Sequence, residues 1–565
     1  MKSRLALLAS VRVCRRVKQI AAFLILFLGF QCVQASGQVV ATWTDNSGSW
    51  SNAANWSTFT VPNNGGGTTY SVTVNAAGST VSMDVLNDTI DNLYLGPATS
   101  LNINTGKSLT LVSGVSILDN SGPLSNSNSF SVLNNYGALV NSGGIRNSGI
   151  INNNGLIINL TSLVNDFGQV INNDTLVNKG TLADIGSGSW TNNGILSNRS
   201  TGSIDLGESS TFMNSGTVIN SGAIIGGGIF TDNVSAIGNT GLFINRRNGS
   251  ISDLASLTNQ GTLINNGSIQ NACSVNGVCA YLNSGTIINN GSFANVISPS
   301  LIMLETGHSC DINGGCTFAN SGNLINRGFF NNTGALSNSG VLFNRGTLLD
   351  SGTLTNSGIL LNSGAMTISS TGTLATSTNY TQTSGSTLVD GTLTATGGAI
   401  VDIKHGILSG TGTINGNVLM GGTLRPGDAP GTLTIFGNYE QTHTGTFDEL
   451  LSPSSHSLLD VSGKALLDHG TGLEIALLNG FNPIDQTFDI MNYSSLTGVF
   501  ADGSSFWDDG FLWDVTYGAN QIDITAVQAG VGPPTSQTPE PGPLLLLALG
   551  SLTFGAFAMC KKLAQ

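Results

Sequence analysis

Seven cysteines, five histidines and a few adjacent carboxylates are the residues of this 565-residue chain whose chemistry goes beyond packing. Four of the cysteines form two matched loops, Cys273-x5-Cys279 and Cys310-x5-Cys316, with Asn276-Gly277 and Asn313-Gly314 at their middles. A hairpin turn at each Asn-Gly brings its two thiols within bonding reach. Local disulfides, Cys273 with Cys279 and Cys310 with Cys316, are therefore the expectation for an exported chain. A four-Cys zinc site normally uses spacings of roughly two to four residues, which these loops lack. His308, His405, His443, His456 and His469 include no pair at the helical spacing of a metal site, and no His-Glu-x-x-His occurs. Gly106-Lys107-Ser108 looks like the end of a phosphate loop, but Leu101 stands where its first Gly must be. Asp448-Glu449 and Asp508-Asp509 suit a glycosidase pair or a calcium ion in type. Neither has calcium-loop spacing, and both lie in turn-like sequence, so solvated loops are expected. No catalytic, metal or cofactor-binding residue is assigned, and no cofactor is implied.

Composition says what scaffold carries these residues. The chain holds 75 Gly and 61 Asn, and only 9% of its residues are charged. An ordinary soluble domain has about 25%. Collagen is excluded because Gly follows no three-residue period, and 40% hydrophobic residues argue against a disordered chain. Six of the 19 basic residues lie in the first 18 positions and two more are Lys561 and Lys562, so between these ends 11 basic residues face 32 acids, a net of −21. That balance opposes nucleic-acid binding and anionic-lipid binding.

Asn or Asp recurs every six residues at Asn320, Asn326, Asn332, Asn338, Asn344, Asp350, Asn356 and Asn362. Gly follows two positions later, and an apolar residue two positions after that. The same hexad runs through Asn135, Asn141, Asn147, Asn153 and Asn159. Because six is even, an extended chain places Asn, Gly and the apolar residue on one face and the other three positions on the opposite face. A helix of 3.6 residues per turn would smear that pattern around its circumference. The fold class expected is all-β: an elongated β-solenoid, in which coils of two or three hexads stack at roughly 4.8 Å each. Inward Asn side chains would form ladders, and Gly would permit corners of positive φ.

The ends give an address. Lys2, Arg4, Arg12, Arg15, Arg16 and Lys18 precede the apolar run Ile20 to Phe30 and the small residues near Ala35, which reads as a secretory signal. Near the other end, Pro539-Glu540-Pro541 is followed by an apolar stretch from Leu544 to Met559 and by Cys560-Lys561-Lys562. This order resembles the PEP-CTERM sorting signal. The resemblance implies an exosortase-type sorting protease that recognises Pro539, Glu540 and Pro541, with 544–559 held in a membrane before processing. A two-Lys tail, where that family has an Arg-rich cluster, departs from its pattern.

The hexad body resembles the β-solenoid passengers of autotransporters and filamentous-haemagglutinin-like surface proteins, which favours a right-handed β-helix. Trp43, Trp50 and Trp56 lie in a segment similar to the opening of such proteins, and physically an exposed first coil needs a cover. An aromatic carbohydrate platform is the sharper alternative. The stretch from Leu424-Arg425-Pro426-Gly427 through Gly437-Asn438-Tyr439 resembles the closing segment of autotransporter passengers. The expected organisation is a signal peptide (1–35), an N-terminal β cap (36–125), a hexad solenoid (126–428) and a β-rich C-terminal cap (429–528). A Pro-rich linker (529–543) and a sorting helix with its basic tail (544–565) complete it.

These readings together imply a secreted, non-catalytic surface or matrix protein whose outward polar face contacts exopolysaccharide or neighbouring cells, and not nucleic acid. A polysaccharide lyase or hydrolase on a β-helix is the main alternative, since that fold hosts such enzymes, but fold alone grants no activity. A membrane-anchored protein of purely structural role is another. An ice-binding face would need regular outward Thr rows, and the outward hexad positions mix residue types.

Overall fold

Four residues of alternating environment make the smallest useful strand, and the hexad supplies one per repeat. Asn323–Asn326, Phe329–Asn332 and Ala335–Asn338 are such strands, each burying its second and fourth residues. Two-residue turns, such as Arg327-Gly328, join them. The computed structural model describes residues 37–112, 117–128, 130–207, 210–226, 236–252, 256–272, 280–296, 317–427 and 429–530. These fall into two compact units, 1–229 with 233–254, and 230–232 with 255–565.

Both units are β-solenoids. Successive strands enter three different parallel sheets, called here first, second and third; Asn323–Asn326, Phe329–Asn332 and Ala335–Asn338 belong to them in that order. Ala335–Asn338 pairs in register with Thr317–Asn320 behind it and Thr353–Asn356 ahead of it. The coil is therefore three hexads long, which decides between the two coil sizes that a six-residue period allows. Longer coils absorb insertions: in-register Asn283 and Asn320 are 37 residues apart. The stretches 227–235 and 297–316, which lie outside the described residues, are both flanked by a second-sheet strand and a third-sheet strand.

The core is a stack of apolar side chains, with Leu324, Phe330 and Leu336 all at most 1% exposed. Phe293 and Phe330, from adjacent coils, stack at 5.0 Å. Each such Leu contributes roughly 2 kcal/mol by leaving water. Where the first coil starts, Trp43, Trp50 and Trp56 pack edge to face at 5.0 and 4.7 Å. All three are buried, and the Trp56 indole donates to the Trp50 carbonyl at 2.8 Å. Burial removes the solvent-facing aromatic platform.

The hexad glycines do not turn corners by positive φ, contrary to the expectation. None of Gly322, Gly328, Gly340, Gly346 or Gly358 lies in that region. They are needed because stacked turns nearly touch: a Cβ on Gly340 would lie 2.2 Å from the Gly322 carbonyl oxygen.

Parallel coils extend on both sides of residues 125 and 428, from Gln38–Thr42 at the start to Ser495–Thr497 at the end. The last strands change direction. Thr487–Asn492 and Phe511–Tyr517 both pair antiparallel with Gln521–Ala529.

Candidate functional site

The inward Asn side chains are the first polar assembly. Asn320 donates its amide to Asn338 Oδ1 at 2.6 Å and to the Val341 carbonyl at 3.0 Å, and Asn338 repeats this toward Asn356 at 2.6 Å and Ile359 at 3.0 Å. Each is at most 1% exposed. Interior rungs accept from the previous coil and donate to the next, so the ladder satisfies buried groups that would cost about 1–3 kcal/mol apiece if orphaned; among the described residues, only the opening rungs Asn120, Asn126 and Asn135 keep a buried Oδ1 that accepts nothing.

Two of these ladders end in an acid. Asn165 donates to Asp184 at 3.2 Å, and Asn332 donates to Asp350 at 2.7 Å. The residues next in register are apolar, Leu206 and Ile368. Burial raises the carboxyl of Asp184 to about 7, with the Ser210 hydroxyl and the Asn165 amide opposing it. It raises Asp350 to about 6 against the Asn332 amide. Asp88, buried beside the Trp cluster, is likewise pushed up to about 7 by burial, against the Thr89 amide and the Trp50 indole.

The sequence places Asp448, Glu449, Asp508 and Asp509 in solvated loops; the structure corrects this for the first three and leaves Asp509 exposed in a turn. Asp448 and Glu449 lie within the strand Thr446–Leu451, and Asp508 ends the strand Ser505–Asp508. Asp448 stands in register with Glu474 of the neighbouring strand Gly472–Leu477 and is ion-paired with Arg425, whose Nε donates at 2.8 Å. The other edge of Gly472–Leu477 has no strand beside it. Its amides are capped instead by side chains: Leu473 donates to Asp502 at 3.1 Å, Ile475 to Asp508 at 2.6 Å and Leu477 to Asp509 at 2.8 Å. Three carboxylates thus replace the missing coil. Burial raises Asp508, and burial followed by Asp448 and Asp508 raises Glu474, against Arg425.

Glu449 points the other way, into the core, at 0% exposure and with no hydrogen bond to either oxygen. The nearby Ser457 amide is committed to the Leu450 carbonyl at 2.9 Å. Burial, reinforced by the nearby Asp448 and Asp489 charges, holds the Glu449 carboxyl well above its usual range.

Cys273, Cys279, Cys310 and Cys316 lie outside the described residues, as do Pro539, Glu540, Pro541 and the apolar stretch 544–559. The described strands before and after each cysteine segment belong to the second and third sheets, in consecutive coils. Among the described residues, no three His, Cys, Asp or Glu side chains are placed to hold a metal ion, and no helix is long and apolar enough to cross a membrane. No protein-family model and no curated protein matches the chain. Sequence reading missed Glu474 and Asp502 as parts of the acidic edge. The available signal was the alternation of Gly472–Leu477, whose outward Glu474 aligns with Asp448 only once the coil length is known.

Proposed function

We propose that the protein is an exported, non-catalytic structural or adhesive component of the cell surface or exopolysaccharide matrix. Sorting through Pro539, Glu540 and Pro541 by an exosortase-type protease is part of this reading, with residues 544–559 in the membrane before processing. Disulfides between Cys273 and Cys279 and between Cys310 and Cys316 would close loops on one corner of consecutive coils. One observation carries the proposal. Apart from Glu449, which is sealed in the core, the inward amides and the edge carboxylates of the described coils are spent on holding coils together, as in the Asn320–Asn338–Asn356 ladder, or on closing the strand edge at Asp502, Asp508 and Asp509. A hydrolytic pair needs carboxyls free to exchange protons with a substrate. Here Asp448 is held by Arg425 and Asp508 by the Ile475 amide.

The test compares the mass of the released protein in cells with and without the sorting protease, for the full chain and for a chain that stops at Thr538, just before the Pro-Glu-Pro motif. Release of a shortened full chain only when the protease is present supports the reading. Retention of the whole chain inside the cell in both strains sinks it.

A further inference from the structure

Of the 11 basic residues between the two chain ends, seven occupy one corner of the coil, the turn from the first sheet to the second: Lys179, Arg199, Arg246, Arg247, Arg327, Arg345 and Lys404. In the first unit, Lys179 and Arg199 follow the in-register residues Asn178 and Asn198 of adjacent coils. Arg246 follows Asn245, two coils further along. In the second unit Arg327 and Arg345 again sit one coil apart. Lys404 follows three coils beyond Arg345, so cations in the rows are spaced at one to three coils, roughly 5 to 15 Å. No acid stands in this turn in any coil from Asn141 to Asn245 or from Asn265 to Gln382. The four ion pairs among the described residues involve only Lys404 of the seven, with Asp402 at 3.3 Å. The remaining cations stand without a carboxylate partner in a chain that is otherwise strongly acidic.

The surroundings of the row are specific. The corner backbone is fixed coil to coil, with the Arg327 amide on the Asn289 carbonyl at 2.6 Å and the Arg345 amide on the Asn326 carbonyl at 2.7 Å. On the first-sheet side, the residues beside the row stand in register and are apolar apart from Ser197: Val177, Ser197, Ile219 and Ile244 in one unit and Ile325, Phe343 and Leu361 in the other. The Arg345 guanidinium lies 4.2 Å over the Phe343 ring. On the second-sheet side come hydroxyls, Ser162, Thr181 and Ser203 in register in the first unit.

We propose that this corner binds an anionic polysaccharide, one bearing carboxylate or sulfate groups, laid along the row in each unit. Such a polymer presents sparse charges, many hydroxyls and apolar C–H faces, which match the cations and the apolar row of each unit and the Ser/Thr row of the first; in the second unit Phe329, Thr347 and Ala365 take the place of that row. Charge complementarity argues for it, and the weakness of each contact is offset by repetition. Duplex nucleic acid carries a phosphate charge about every 1.7 Å and would be repelled by the rest of the chain between its ends, where the other 4 basic residues face 32 acids, a net of −28. The proposal rests on the matrix reading above for its setting but names the ligand class and the residues.

The purified full-length secreted protein is tested by sedimentation with polygalacturonate, dextran sulfate, neutral dextran and duplex DNA. Three proteins are compared: the wild type, a corner variant carrying Lys179→Gln, Arg199→Gln, Arg327→Gln and Arg345→Gln, and a control carrying Lys107→Gln and Lys464→Gln. Circular dichroism checks that both variants are folded. The wild type and the control bind polygalacturonate or dextran sulfate, binding weakens as salt rises, and the corner variant binds about tenfold more weakly or worse. Binding to one anionic polymer alone identifies carboxylate or sulfate as the recognised group. Equal binding by the corner variant, binding of neutral dextran that ignores salt, tighter binding of DNA, or no binding at all overturns the proposal. Those results leave the export and release experiment untouched, so the two readings fail separately.

Discussion

Asn332 donates its side-chain amide to Asp350 at 2.7 Å, and Asp350 passes nothing on, because the residue above it in register is Ile368. An Asn in that place would direct an N–H into the next coil. A protonated Asp has an O–H to offer, and an ionised Asp has no donor at all.

Stability should therefore fall as pH rises toward neutrality. Folding raises Asp88 and Asp184 from 3.8 to about 7 and Asp350 to about 6, so the folded chain holds these protons more tightly than the unfolded one. The stabilisation is complete below about pH 4 and is lost as pH climbs through 6 to 7, on the order of 3 kcal/mol per acid. Melting followed by circular dichroism between pH 4 and 8 should show a declining Tm, and Asp184→Asn with Asp350→Asn should flatten the decline. A Tm that rises over this range would contradict the assignment.

Two neighbouring glycines should respond oppositely to the same change. A Cβ on Gly143 would sit 2.4 Å from the Gly122 carbonyl oxygen, while one on Gly144 would meet nothing within 4 Å. Gly143→Ala should cost roughly 2–4 kcal/mol and Gly144→Ala should stay within about 1 kcal/mol of the wild type or gain slightly. Denaturant melts of the two variants check this, and equal effects would remove the close stacking of turns from the account.

The carboxylate-capped edge predicts a local effect. Asp508→Ala leaves the Ile475 amide, donating at 2.6 Å in the wild type, without its acceptor. Hydrogen exchange at Ile475 should accelerate, corresponding to a loss of about 1–3 kcal/mol of local protection. Asp508→Asn keeps an acceptor oxygen and should accelerate it less. Exchange at Asn326 and Asn344, in the ladder coils, should not change in either variant. Unaltered exchange at Ile475 in Asp508→Ala would mean that the edge is closed by something else.

The hexad made the β class, the inward Asn and the apolar stripe legible, because an even period on an extended chain leaves no other arrangement of Asn320 and Leu324 relative to Asn323 and Ile325. It left the coil length open, since two hexads and three fit the period equally. Everything that depends on alignment between coils was therefore hidden. Lys179 and Arg199 are more than three hexads apart in sequence, yet they follow paired residues of adjacent coils. Glycine was misjudged because its usual service, positive φ, is not what Gly340 supplies. Asp448 and Glu449 were misread because both faces of Thr446–Leu451 are covered, one by the core and one by Arg425, which erases the alternation that marks a half-buried strand.

Coil length is the claim on which the ladders, the acids that end them and the cation row all depend, and cross-linking measures it directly. Ser337 pairs in register with Thr355, three hexads on, whereas a coil of two hexads would put it beside Leu349. Chains carrying Ser337→Cys with Thr355→Cys, or Ser337→Cys with Leu349→Cys, are oxidised and read by peptide mass. The account predicts a bond in the first and none in the second. A bond between 337 and 349, with none between 337 and 355, would contradict it.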